Sequence, residues 1–255
     1  MMNYNSSGFF SSLPPVTKNL MIINAIFWLA TIVLPKVNID LVKMLALYYP
    51  ASGNFNPIQL VSYMFMHDTH SIAHVFFNMF AVYMFGRVLE QVWGSKRFLI
   101  YYMITGIGAG LINILVAYVR IKSIESGIAP DLIAEVYREG TRVFSEGMNY
   151  REPVLAQLNT LINVPTVGAS GAVFGILLAF GVLFPNVPLY IMFIPVPIKA
   201  KYFVVGYGLI ELFLGFADFS GDNVAHFAHL GGMLFGFILI HYWKKKDADN
   251  GKYFY

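Results

Sequence analysis

Val167-Gly168-Ala169-Ser170-Gly171-Ala172-Val173-Phe174-Gly175 is a small-residue turn that opens an apolar run reaching Phe184. An uncharged run of this kind reads as a helix set in apolar surroundings, and its glycines let other backbones come close. Ser170 carries the one nucleophilic side chain of the stretch and sits where the helix should begin. Taken alone, a serine at a helix start is most often a cap or a packing residue. What it does here depends on what the other apolar runs bring beside it.

The whole chain resembles this stretch. Of 255 residues, 57% are hydrophobic and 12% charged, with mean hydropathy +0.62, whereas soluble domains carry roughly 25% charged residues. Several windows approach the ~20 apolar residues that cross ~30 Å of hydrocarbon. Backbone groups in lipid must be satisfied internally, so the expected class is an all-α polytopic membrane protein. Six spans are expected, at about 20–35, 70–89, 98–119, 170–184, 202–216 and 224–243, in one domain over 18–243. Residues 1–17 read as a mobile polar tail and 244–255 as a basic tail. Residues 36–60 read as an interfacial loop with a short helix over 41–47. Charges of alternating sign fill 120–163, and Ile128, Leu132, Ile133 and Val136 recur at helical spacing, so one or two surface helices are expected in a long outer loop. Pro185, Pro188, Pro195 and Pro197 predict a turn after span four.

Composition also excludes. Cysteine is absent, which removes a disulfide framework and a thiol nucleophile. The polar start has no positively charged n-region, so no cleaved signal is expected and the first span is retained. A net charge of +3 is too small and dispersed for nucleic acid. With six spans, both termini share one side. That side holds ten Lys/Arg against three acids, and the other seven against ten. The positive-inside rule then puts both ends in the cytoplasm, with a bacterial plasma membrane as the simplest setting.

In that topology spans two, four and six all run from outside to inside. Polar groups within spans are costly and usually mark function. They are His74 and Asn78 early in span two, Ser170 at the start of span four, and His226 and His229 early in span six. All fall toward the outer face. Ser170 to Phe184 is about 15 residues, roughly 22 Å at 1.5 Å per residue, so Ser170 lies below the outer surface and residues 163–169 dip in before it. Serine needs a base. His229 is the candidate, because Gly232 and Gly236 bare the same face of span six, while Gly171 and Gly175 bare span four. Asp222 is about 10 Å away along the helix and Glu90 lies near the opposite face, so no acid is placed to orient the ring. A Ser170–His229 dyad is expected, with Phe174 packed on the imidazole. His74 and Asn78, one turn apart, are candidate oxyanion donors beside the free N–H groups of span four.

Gly168-Ala169-Ser170-Gly171, His74-x-x-x-Asn78 and Ala228-His229-x-x-Gly232-x-x-x-Gly236 resemble the three signatures of the rhomboid family of intramembrane serine proteases. They come in that family's order, on its second, fourth and sixth spans. The resemblance implies a six-helix bundle, Ser170 as nucleophile, His229 as base and then acid, and His74 and Asn78 lining the oxyanion hole. It implies a substrate that is the transmembrane segment of another, single-pass protein, entering from the bilayer beside span five. Glu90 before Gly94 resembles a structural acid of the family. The Trp-Arg pair frequent in the family's first outer loop is absent, since Asn56-Pro57-Ile58-Gln59 stands before span two.

Two other readings compete. One is an inactive relative that holds transmembrane clients without cutting them, although such members usually lack the serine or histidine. The other is a metal-dependent enzyme or transporter on His67, His70 and His74, spaced i, i+3 and i+7. No HExxH accompanies them. No cofactor or metal is therefore expected, and His226 is expected to be a partly exposed structural residue.

Overall fold

The computed structural model describes residues 12–190, 196–217 and 226–250. It is mostly helical. Helix α1 covers Pro15–Val33 and tightens into a 3₁₀ turn over Leu34–Val37. It begins earlier than the sequence suggests, because proline is pre-set for a first helical turn and because buried Glu90 caps the free amides. The Glu90 carboxylate accepts from the Val16 N–H at 2.9 Å, the Thr17 N–H at 2.7 Å and the Thr17 hydroxyl at 2.7 Å. The polar tail therefore ends before Thr17, which is fully buried. Residues 1–11 lie outside the described residues.

Helix α2 is Leu41–Leu45, shorter than expected, and α3 is Gln59–Ser62. Helices α4 (Ile72–Ala81) and α5 (Arg87–Trp93) run into one another through a π-helical turn at Val82–Gly86. Helix α6, Ser95–Glu125, has 31 residues, about 46 Å at 1.5 Å per residue. That exceeds the hydrocarbon, so it carries span three on into what reads as loop. Two helices follow, α7 (Pro130–Ser145) and α8 (Pro153–Asn163). They pack on the end of α6 through a separate small core of Ile121, Val136, Leu155, Leu158 and Ile162. The Tyr137 hydroxyl donates to Glu125 at 2.6 Å, and burial together with that carboxylate pushes the phenol well above its ordinary value. Asn163 Oδ1 accepts from both the Ser52 and Thr141 hydroxyls, tying this hairpin to the first loop.

Helix α9, Ser170–Leu183, is the centre of the molecule: ten of its 14 residues are buried. It is too short to cross ~30 Å alone, which is why the chain before it is irregular yet enclosed. The Leu47 and Thr166 backbones exchange hydrogen bonds of 2.9 and 2.8 Å, and the Gly168 N–H donates to the Tyr63 carbonyl at 3.0 Å. Those bonds satisfy backbone groups that lipid would leave bare. After α9 the chain makes a two-residue antiparallel ladder, β1 (Pro188–Leu189) with β2 (Ile198–Lys199), where the prolines suggest a plain turn; Pro195 lies outside the described residues. Helix α10 is Ala200–Ala217 and α11 is His226–Asp249. The basic tail is thus helical as far as Asp249, held by an ion pair of 2.9 Å between Arg97 and Asp247.

Among the described residues, four helices are long and apolar enough to cross a membrane: Pro15–Val37, Ile72–Trp93, Ser95–Glu125 and Ala200–Ala217. Ile26, Leu29, Phe76, Leu115, Leu209 and Phe213 turn bare apolar side chains outward from them, a surface suited to lipid tails.

Candidate active site

Helices α9 and α11 meet where neither carries a side chain. A Cβ at Gly232 would strike the Gly171 carbonyl, so only glycine permits that spacing. This approach sets the first contact of the site. Ser170 Oγ lies 2.8 Å from His229 Nε2, within hydrogen-bond reach. His229 is buried, while Ser170 is half-buried and so open on one side. Phe174, one turn below Ser170, stacks on the imidazole with centroids 4.2 Å apart and planes 5° from parallel. Tyr207 and Phe203 of α10 extend that stack, at 5.3 and then 5.6 Å.

The absence of an orienting acid is the main correction to the sequence reading. Glu211 of α10 is buried and its Oε2 lies 2.9 Å from His229 Nδ1. A carboxylate only accepts, so the proton of this contact sits on Nδ1 and leaves Nε2 free to accept from the Ser170 hydroxyl. The same oxygen lies 2.6 Å from His226 Nδ1. His226 is therefore buried, not partly exposed, and shares an acid with His229. Asp222 lies outside the described residues.

Gly168 brings the third element in. Its φ of +127° is a conformation that side chains rarely adopt, and a Cβ there would lie 3.0 Å from His74 Nε2 and 3.6 Å from Ser170 Oγ. His74 Nδ1 accepts from the Asp68 N–H at 3.4 Å, which leaves Nε2 as the donor on the Ser170 side. Asn78 is buried, and its amide donates to the His74 carbonyl at 2.9 Å, one turn back along α4. The start of α9 has no side-chain cap, so the N–H groups of its first turn, the Ser170 N–H included, have no side-chain partner there.

The metal reading on His67, His70 and His74 does not hold. The rings of His67 and His74 meet edge to face at 5.2 Å, but His70 is exposed and the three do not bring their ligand atoms together. Among the described residues, Glu211, His226 and His229 are the three whose ligand atoms converge.

The family model described as the rhomboid domain matches residues 54–246, well over half of the chain. The chain belongs to the rhomboid family. A curated relative is RHOMBOID-like protein 12, mitochondrial, from Arabidopsis thaliana, 28% identical over 163 residues, which is 63% of this chain and 39% of that protein. This rhomboid thus spans about two fifths of the relative's length. Membership makes it an integral membrane protein and places it among intramembrane proteases and their rhomboid-like relatives.

Glu211 escaped the sequence reading, although a signal existed. In the six-span reading of the sequence, three of the 14 acids fall on one side and ten on the other. The remaining one is Glu211, in the middle of the apolar run of span five. An ionisable residue there is a functional candidate by default.

Proposed function

We propose that this rhomboid is an intramembrane serine endopeptidase with six spans, the short helix α9 and the charged-ended α11 completing the four long apolar helices. The contact between Ser170 Oγ and His229 Nε2, 2.8 Å across two glycine-apposed helices, carries the proposal. As the Ser170 oxygen attacks the scissile carbonyl carbon, its proton passes to Nε2. The His229 ring then becomes an imidazolium, and the Glu211 carboxylate at Nδ1 opposes that charge. The developing oxyanion is received by the first N–H groups of α9 and by the His74 side chain, with Asn78 behind it. His229 returns the proton to the leaving amine, the C–N bond breaks, and Ser170 holds the acyl group as an ester. Water, activated by the same Nε2, hydrolyses that ester and restores the serine.

The substrate is a single-pass membrane protein whose transmembrane segment unwinds at the half-buried serine. The charge asymmetry supports both termini on the cytoplasmic side, with a bacterial plasma membrane as the simplest setting. The test is cleavage of a single-span substrate in liposomes by the wild-type protein and by Ser170→Ala. Cleavage by the first and not the second is expected. Equal cleavage by both removes the proposal, and cleavage by neither favours a relative that holds clients without cutting them.

A further inference from the structure

The triad of Glu211, His226 and His229 has a second chemical character. Two imidazoles and a carboxylate are a familiar ligand set for zinc, with three protein ligands and one open position. Here Glu211 Oε2 lies 2.6 Å from His226 Nδ1 and 2.9 Å from His229 Nδ1, ligand atoms of the three residues all lie within 4.8 Å of one another, and all three residues are buried. A tetrahedral ion with bonds near 2.1 Å spaces its ligands about 3.4 Å apart. The two nitrogen-to-oxygen contacts of 2.6 and 2.9 Å need to open by less than 1 Å to admit it. The three ligands come from two helices, α10 and α11, already packed together.

We propose that these residues bind a divalent transition metal of the zinc class, and that its occupancy silences the serine. The proposal rests on the protease reading for its effect but not for its binding. A metal takes the lone pair of a neutral imidazole nitrogen. Bound to His229 Nδ1, it obliges the ring to carry its proton on Nε2. Nε2 then donates toward Ser170 Oγ and can no longer accept, so the base is lost while the fold is kept. Proton and metal exchange within each of the two rings: the Nδ1 protons of His229 and His226 leave, each Nε2 gains one, and no redox change or co-reactant is involved. The Irving–Williams order favours Cu²⁺ and Zn²⁺ over Mn²⁺ at such a site.

The test uses the full chain as Ser170→Ala in detergent, titrated with Co²⁺ alone, so that no cleavage is needed to read it. Visible absorption of tetrahedral Co²⁺, saturating at one ion per chain and bleached by Zn²⁺, is expected. Glu211→Gln and His226→Ala should each weaken Co²⁺ binding at least tenfold. No tetrahedral spectrum, or one unchanged by both substitutions, overturns the site. With the wild type, Zn²⁺ should abolish cleavage and a chelator restore it, while His226→Ala should need at least tenfold more Zn²⁺ to halve its own activity. Metal binding without inhibition overturns the silencing mechanism, and a metal site in a protein that never cleaves leaves the site standing and removes the protease reading. Should His226→Ala fail to fold, the unsubstituted protein still decides: its thermal midpoint must rise with Zn²⁺, and no rise refutes the proposal.

Discussion

Replacing Glu211 by glutamine exchanges one oxygen for an NH₂ group and keeps the shape of the side chain, yet it should cripple cleavage. The carboxylate accepts from His229 Nδ1 at 2.9 Å. A hydrogen bond to a charged group contributes about 1.5–3 kcal/mol net, which corresponds to about 10- to 150-fold in rate. Glutamine can do worse than remove that bond, because its amide can donate to Nδ1 and place the ring proton on Nε2, facing Ser170. In serine proteases with a Ser-His-Asp triad the comparable acid-to-amide change costs about 10⁴-fold in kcat through the wrong tautomer. The expected fall is therefore at least 10-fold and at most about 10⁴-fold, confined to kcat. KM for a single-span substrate should hold, since the rate is lost at the imidazolium that forms in the transition state, and the protein should stay folded in detergent. Placing Glu211→Gln in a His229→Ala background should cost little more, because the two residues act as a unit. Retention of activity within about threefold, or a loss accompanied by unfolding alone, would refute the assignment of Glu211 as a positioning residue.

Three further outcomes follow from named contacts. Gly232→Ala puts a methyl group into the Gly171 carbonyl and should separate α9 from α11, with a loss of about 100-fold or more in kcat/KM expected for a displacement near 1 Å; normal cleavage would contradict the packing argument. His74→Ala removes the donor beside Gly168 and should cost about 2.7–4 kcal/mol in transition-state stabilisation, read as a fall in kcat while fluorophosphonate still finds Ser170. Glu90→Ala leaves the amides of Val16 and Thr17 and the hydroxyls of Thr17 and Ser95 without their shared acceptor and should destabilise the protein by roughly 3 kcal/mol or more, seen as a lower thermal midpoint.

The serine, the imidazole and the ring beneath it were legible because they obey local rules. Gly171 and Gly232 announce a close helix crossing, Ser170 and Phe174 are one turn apart, and the polar residues of three helices fall at one depth. Glu211 was not legible by the same route, because its partner His229 stands 18 residues on and on another helix. It meets His229 only through the tertiary placement of α10. The stack of Phe203, Tyr207 and Phe174 was hidden for the same reason. Helix ends erred where a distant group supplies the cap: α1 starts at Pro15 because Glu90, more than 70 residues on, accepts its amides. The extension of α6 to Glu125 was masked by charge, since its last turn rests on α8 rather than in lipid.

The central claim is that Ser170 is made nucleophilic by His229, and covalent labelling reads this most directly. A fluorophosphonate incubated with the purified protein in detergent should leave one adduct, located by mass spectrometry on Ser170. That adduct should be absent from Ser170→Ala and at least 100-fold slower to form in His229→Ala, in line with the 10²–10⁴-fold contribution of a positioned base. An adduct on another residue, or labelling at the same rate without the imidazole, would contradict it.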